Sequence, residues 1–269
     1  MRLWLPGAVL LIWFVMAIAG PFFALQPDYI QLDKIIVPPG EGAWFGYDDL
    51  GRALGDRVVA GAQTSFFVAL WVVAVSFMAG TAIGAASGYL GGWWDHVTVR
   101  VIDIFLAFPG ILLAIAMAGL MGPGIDNVVI ALSTVGWVGF ARLARAQVLS
   151  IKHREHVQAA VALGTGQARI IVRHLLPLIL APLIVEASFA VAGVIIGEAG
   201  LSFLGLGIQP PDASWGSMIR DGTRYMLVAP HIVLVPGVAL MLVVLSVNLL
   251  GDRLRDRLDV RAAARDRQV

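Results

Sequence analysis

Apolar residues in this chain gather into long runs with few charges, and the short polar stretches fall between the runs. Six runs are long enough to be helical membrane spans, over residues 3–25, 60–88, 98–121, 125–147, 175–198 and 228–250. A hydrocarbon core about 30 Å thick takes roughly 20 helical residues to cross, because every backbone polar group must be paired inside the segment. The pattern therefore predicts an all-α polytopic membrane protein with six transmembrane helices. The first run has a rival reading as a signal peptide, since Arg2 precedes it and Ala17-Ile18-Ala19 resembles a cleavage site. Its length exceeds the roughly 7 to 15 residues of a signal core and favours a span.

The most informative polar stretch is residues 154–177, between the fourth and fifth runs. Good helix formers occupy 155–163, with Val157, Ala160, Val161 and Gly164 spaced by three and four along one stripe. Gly164 should end that helix, where a left-handed residue is needed. A second short helix is expected over 167–175 with Arg169 and Arg173 on one side, and Pro177 then opens the next span, where its missing donor costs little. Two short helices meeting at a glycine make a knob that another protein can grip, with the Ala159-Ala160 pair allowing close approach. A solvated connector is the other reading.

Composition agrees with a membrane protein: 59% hydrophobic and 14% charged residues, against roughly 45–50% and about 25% in soluble domains. Placing the charges is more telling than the net +1. If both termini are cytoplasmic, fourteen of the nineteen cations lie inside: Arg2, Arg100, Arg142, Arg145, Lys152, Arg154, Arg169, Arg173, Arg253, Arg255, Arg257, Arg261, Arg265 and Arg267. Lys34, Arg52, Arg57, Arg220 and Arg224 remain outside with most of the acids. The excess of inner cations sets that orientation and makes 154–177 a cytoplasmic loop.

Inside the spans, Gly80, Gly84, Gly88 and Gly92 recur every four residues, a face that lets helices approach closely, either within this subunit or against a paired one. Pro109, Pro182 and Pro236 should kink the third, fifth and sixth spans. Glu186 lies near the middle of the fifth span, where an ionisable group is costly and usually faces a water-filled path or a partner. It is the candidate for the substrate path, able to attract an ammonium group; a carboxyl held between helices is the alternative. Arg100 and Asp103, three residues apart, are expected to form an ion pair, and Glu198 is expected to anchor the outer loop.

Several chemistries are excluded. With no cysteine there is no disulfide or thiolate site. A phosphate-binding loop needs Gly-Lys-Ser/Thr, yet Lys34 and Lys152 are the two lysines and neither follows a glycine. Gly84-Ala85-Ala86-Ser87-Gly88 misses the nucleophile-elbow spacing, and His153 and His156 are three rather than four residues apart, unlike the zinc-protease motif.

Gln158-Ala159-Ala160, Gly164 and Leu176-Pro177 resemble the E-A-A…G…L-P loop of binding-protein-dependent ABC importer permeases. Further motifs are similar to the dipeptide, oligopeptide and nickel branch of that family. They are Gly46-Tyr47-Asp48-Asp49-Leu50-Gly51-Arg52; Arg100, Asp103, Ala107, Phe108 and Pro109; Gly136-Trp137 and Ala141-Arg142-Leu143 with Arg145; residues 198–207 with Gln209-Pro210-Pro211 and Ser214-Trp215-Gly216; and Asn248-Leu249-Leu250-Gly251-Asp252 with Leu254-Arg255-Asp256 and Leu258-Asp259. The resemblance covers about residues 44–261. Gln158 replaces the family's acid, with Glu155 one turn earlier, Tyr47 and Ala53 replace Thr and Asp, and few residues precede the first span.

The resemblance implies a type I importer transmembrane domain in a bacterial or archaeal cytoplasmic membrane, paired with a second, related permease as a heterodimer. Two separate ATPase subunits would bind ATP and Mg, and a solute-binding protein would deliver the substrate. It implies ATPase coupling through Arg154, Glu155, Gln158, Ala159, Ala160, Gly164, Arg169 and Pro177. No cofactor, metal, catalytic residue or nucleic-acid partner is expected of this chain. The expected organisation is a first helix and outer loop (1–59), a permease core (60–261) with its coupling loop (150–177), and a tail (262–269) that touches the ATPase, anionic lipid or solvent. The 198–216 region would cap the outer gate, and the acidic first loop is a second docking candidate. An ion-gradient-driven secondary transporter and a non-transporting structural subunit are the competing classes. Peptides, nickel chelates and related small solutes all remain open as substrate.

Overall fold

The computed structural model describes residues 4–258. The described chain is helical apart from turns, loops and one isolated bridge between Tyr47 and Ala53. Its helices are α1 (Trp4–Ala19), α2 (Leu54–Leu90), α3 (Gly92–Leu106), α4 (Gly110–Met121), α5 (Ile125–Ile151), α6 (Glu155–Ala162), α7 (Gln167–Ile170), α8 (Leu176–Phe203), α9 (Trp215–Gly222) and α10 (His231–Leu258). Four helices, Leu54–Leu90, Ile125–Ile151, Gln167–Phe203 and His231–Leu258, are long and apolar enough to cross a membrane; α1 is apolar but shorter.

Three expectations change. The first span, expected over 3–25, is the 16-residue α1 followed by a tight 3-10 turn over Gly20–Phe22. The third span is not one kinked helix: α3 and α4 meet at an 83° bend. Pro109 explains the break, because it has no N–H and disfavours helical geometry in the residue before it. The fifth span begins earlier than residue 175. A π-helical turn over Ile171–Leu175 joins α7 to α8, so the span is continuous from Gln167, while Pro177 falls in the first turn of α8, where its missing donor costs little, as expected. The charged C-terminal run is helical to Leu258, and its remainder lies outside the described residues.

The core is organised by α2 and α5, which run side by side in the same direction. A Cβ on Gly80 or Gly84 would strike the backbone carbonyl of Trp137 or Ala141, and one on Gly88 would lie 2.9 Å from the Arg145 carbonyl. Three glycines four apart thus face three residues four apart, and the small-residue face works within the subunit. Gly92 does not belong to it: at φ +54°, with open space around it, it forms the turn into α3.

At the end of the molecule opposite the 154–177 segment α9 is tucked among α2, α8 and α10. Trp215 is fully buried and its Nε1 donates to the Val58 carbonyl at 3.0 Å. Glu198, also fully buried, accepts from Ser65 Oγ at 3.1 Å and Ser202 Oγ at 2.8 Å; Ser202 Oγ in turn accepts from the Ile208 amide. Glu198 therefore ties α8 to α2 and to the loop that follows α8, as its expected anchoring role requires.

Candidate functional site

The 154–177 loop leaves α5 through a turn closed by the Arg154 amide on the Ile151 carbonyl. Val157 and Ala160 face inward and join a buried cluster with Val148, Ile151, Ile170, Leu175 and Ile179. The predicted stripe is therefore narrower than expected. Val161 is 47% exposed and Leu163 86% exposed, and Gly164 is open to solvent. Of the alanine pair, Ala159 faces outward and Ala160 is buried.

Gly164 has φ +74°. Its amide donates to the Val161 carbonyl at 2.9 Å, and the Thr165 amide reaches back to the Ala160 carbonyl at 3.0 Å. This pair of bonds is a Schellman cap, which needs a left-handed residue at the position Gly164 fills. The cap fixes the angle at which α6 leaves the following helix. Arg154, Glu155, Gln158, Arg169 and Pro177 lie at the surface of the loop or only partly covered, and Gln158 Nε2 lies 3.4 Å from the Lys152 carbonyl.

Behind the loop, the ends of α2, α3 and α5 are clamped together. Arg145 donates from Nε and Nη2 to both carboxylate oxygens of Asp95, at 2.6 and 2.7 Å, and Ser87 Oγ donates to the same carboxylate at 2.7 Å. Lys152 Nζ donates to the Gly88 carbonyl at 3.0 Å. Paired bonds to a charged partner hold geometry as well as adding stability. Arg145→Met should cost roughly 2 kcal/mol, lowering the melting temperature of the purified complex by several degrees in a thermal-shift assay, with partial recovery in Arg145→Lys. An unchanged midpoint would remove the clamp from the description.

Glu186 lines a cavity of about 570 Å³ with Leu143 and Gln147 of α5, Pro182, Val185 and Phe189 of α8, and Arg255 of α10. The cavity sits in the half of the molecule that carries the 154–177 loop. Arg100 and Asp103 do not come together: both are exposed, and they form no ion pair among the described residues.

The first loop holds an ionic cluster that spacing did not reveal. Asp48 and Arg52 are buried and paired at 2.7 Å, and Arg57 reaches Asp48 at 3.5 Å and Asp28 at 3.4 Å. Burial, then the adjacent Asp48 carboxylate, raises the Asp49 carboxyl above its ordinary value. The substituted Tyr47 is buried, and its hydroxyl accepts from Lys34 Nζ at 3.3 Å. Only the run of acids in 28–56 hinted at this cluster; its cations arrive from the start of α2 and the turn before it.

A long helix pair packed on glycines, a capped loop projecting from it and a cavity of apolar walls with a few polar groups beside the loop suit the transmembrane subunit of a transporter. Residues 80–263 match the family described as "Binding-protein-dependent transport system inner membrane component". The chain is 40% identical over 232 residues to the glutathione transport system permease protein GsiD of Pectobacterium atrosepticum, covering 86% of this chain and 77% of the relative. It is 44% identical over 221 residues to the dipeptide transport system permease protein DppC of Alkalihalophilus pseudofirmus, covering 82% and 73%. A chain of the MetNI methionine ABC transporter shares the fold, with a TM-score of 0.60 at 18% identity, over 75% of this chain and 96% of that one. The chain belongs to the binding-protein-dependent permease family and is a permease subunit of an ABC importer. Nothing in these likenesses supports the ion-gradient alternative.

Proposed function

We propose that this subunit pairs with a second, homologous permease to form the path for a short peptide or related small solute, driven by ATP hydrolysed on two separate ATPase chains that bind the nucleotide and Mg. A solute-binding protein delivers the substrate to the outer face, both termini lie in the cytoplasm, and Arg154, Glu155, Gln158, Ala159, Ala160, Gly164, Arg169 and Pro177 belong to the surface or frame that the ATPase grips. Glu186 lies on the path. Peptide as the substrate class is supported by the glutathione and dipeptide permeases among the relatives.

One observation carries the coupling: the capped α6 joins, through Gly164 and α7, a single helix from Gln167 to Phe203. At 1.5 Å per residue that helix is about 55 Å long, roughly 25 Å more than the hydrocarbon core. A push on the loop is therefore carried to Glu186, and beyond it to Glu198, along one continuous helix. Proteoliposomes holding both permeases, the ATPases and the binding protein should take up a dipeptide only with ATP and Mg inside the ATPase-facing compartment. Uptake that follows an ion gradient without the ATPases overturns the proposal.

A further inference from the structure

The cavity beside the loop carries two opposite charges on different helices. Glu186 stands on α8 and Arg255 on α10, with the Gln147 amide of α5 between apolar walls formed by Leu143, Val185 and Phe189. Among the described residues neither charge forms an ion pair, and the Gln147 side chain makes no hydrogen bond. Small-molecule sites have this makeup: mostly apolar walls, a few convergent polar groups, and volumes of roughly 300–1,000 Å³. A carboxylate within a span without a protein partner faces water or a ligand.

We infer that the cavity takes a short zwitterionic peptide, with its ammonium group on Glu186 and its carboxylate on Arg255. This rests on the reading that the cavity belongs to the substrate path, and it adds that both free termini are recognised by this subunit itself, independently of the binding protein. Arg suits the second role because its planar fork can hold both oxygens of a carboxylate. The apolar walls would tolerate varied side chains, so selection would act on the termini and on length.

The test uses the purified permease–ATPase complex in nanodiscs without the binding protein, titrated with Ala-Ala, N-acetyl-Ala-Ala and Ala-Ala amide. Wild-type complex should bind Ala-Ala and lose about tenfold in affinity on capping either end. Glu186→Gln should bind Ala-Ala about tenfold more weakly and no longer distinguish the acetylated form, whereas Arg255→Gln should no longer distinguish the amide. Arg255→Lys, which keeps the charge, should restore part of that discrimination and shows that loss in the Gln variant is not misfolding. The inference fails if the wild-type complex does not bind Ala-Ala, if capping leaves its affinity unchanged, or if both variants keep the wild-type ratios. ATP-driven uptake with the binding protein present, measured in parallel, separates these failures from failure of the importer reading: uptake that persists leaves the importer intact and removes only the zwitterion site.

Discussion

Gly164→Val should cut ATP-driven uptake about tenfold or more while the permease still reaches the membrane and assembles. At φ +74°, with nothing within 4 Å of the point a Cβ would occupy, the substitution meets no steric neighbour; the penalty is confined to the backbone. A non-glycine residue in left-handed geometry costs roughly 1–2 kcal/mol, and a β-branched one is the least tolerant. The loop would escape by giving up the bonds from Gly164 and Thr165 to α6, which changes the angle of α6 and its packing on the ends of α5 and α8 while leaving the packing between the spans in place. Asn accepts that geometry more readily, so the expected order of uptake is Gly, Asn, Ala, Val. Stimulation of the ATPases by substrate-loaded binding protein should follow the same order, and wild-type coupling in the Val variant would show that the cap has no part in transport.

Gly84→Leu should instead remove the folded subunit, with at least a tenfold fall in membrane-extracted, monodisperse protein. Any Cβ at this position falls on the Ala141 backbone, which cannot move aside as a flexible side chain would. Forcing α2 from α5 also breaks the contacts at Gly80 and Gly88 and loosens the Asp95–Arg145 clamp at the end of the same seam. Overpacking a fitted core typically costs about 1–3 kcal/mol, and backbone displacement along a whole helix pair lies at the upper end. Gly119→Ala in α4 is the control, since that site is open and its backbone is ordinary helix; equal yields from the two variants would contradict the packing described.

The sequence features that proved readable are periodic or local. Runs of apolar residues marked the long helices, the four-residue glycine spacing marked the seam, and Gly164 marked the end of α6. What the sequence hid depends on distant partners. Trp215 meets Val58 across 157 residues and Glu198 meets Ser65 across 133, so the buried position of α9 had no local signal. Pro109 announced a disturbance, but an 83° bend also depends on how α3 and α4 seat against α5, through Phe105 on Trp137 and Gly110 on Val135. The Arg100–Asp103 expectation failed because neighbouring positions on a helix permit a pair without requiring one. Among the candidate site residues, helical spacing placed Ala160 on the same stripe as Val161, while packing against Ile151 and Ile170 buried the first and left the second exposed.

Coupling through the 154–177 loop is tested most directly by a crosslink. The chain has no cysteine, so Ala159→Cys, at an outward-facing position of α6, creates a single thiol. Paired with single-cysteine variants around the membrane-facing cleft of the ATPase, it should form a disulfide-linked permease–ATPase species that blocks uptake until a reductant restores it. If no ATPase position crosslinks to Ala159→Cys, or if the linked complex transports at the reduced rate, the loop is not the point at which ATP hydrolysis acts on this subunit.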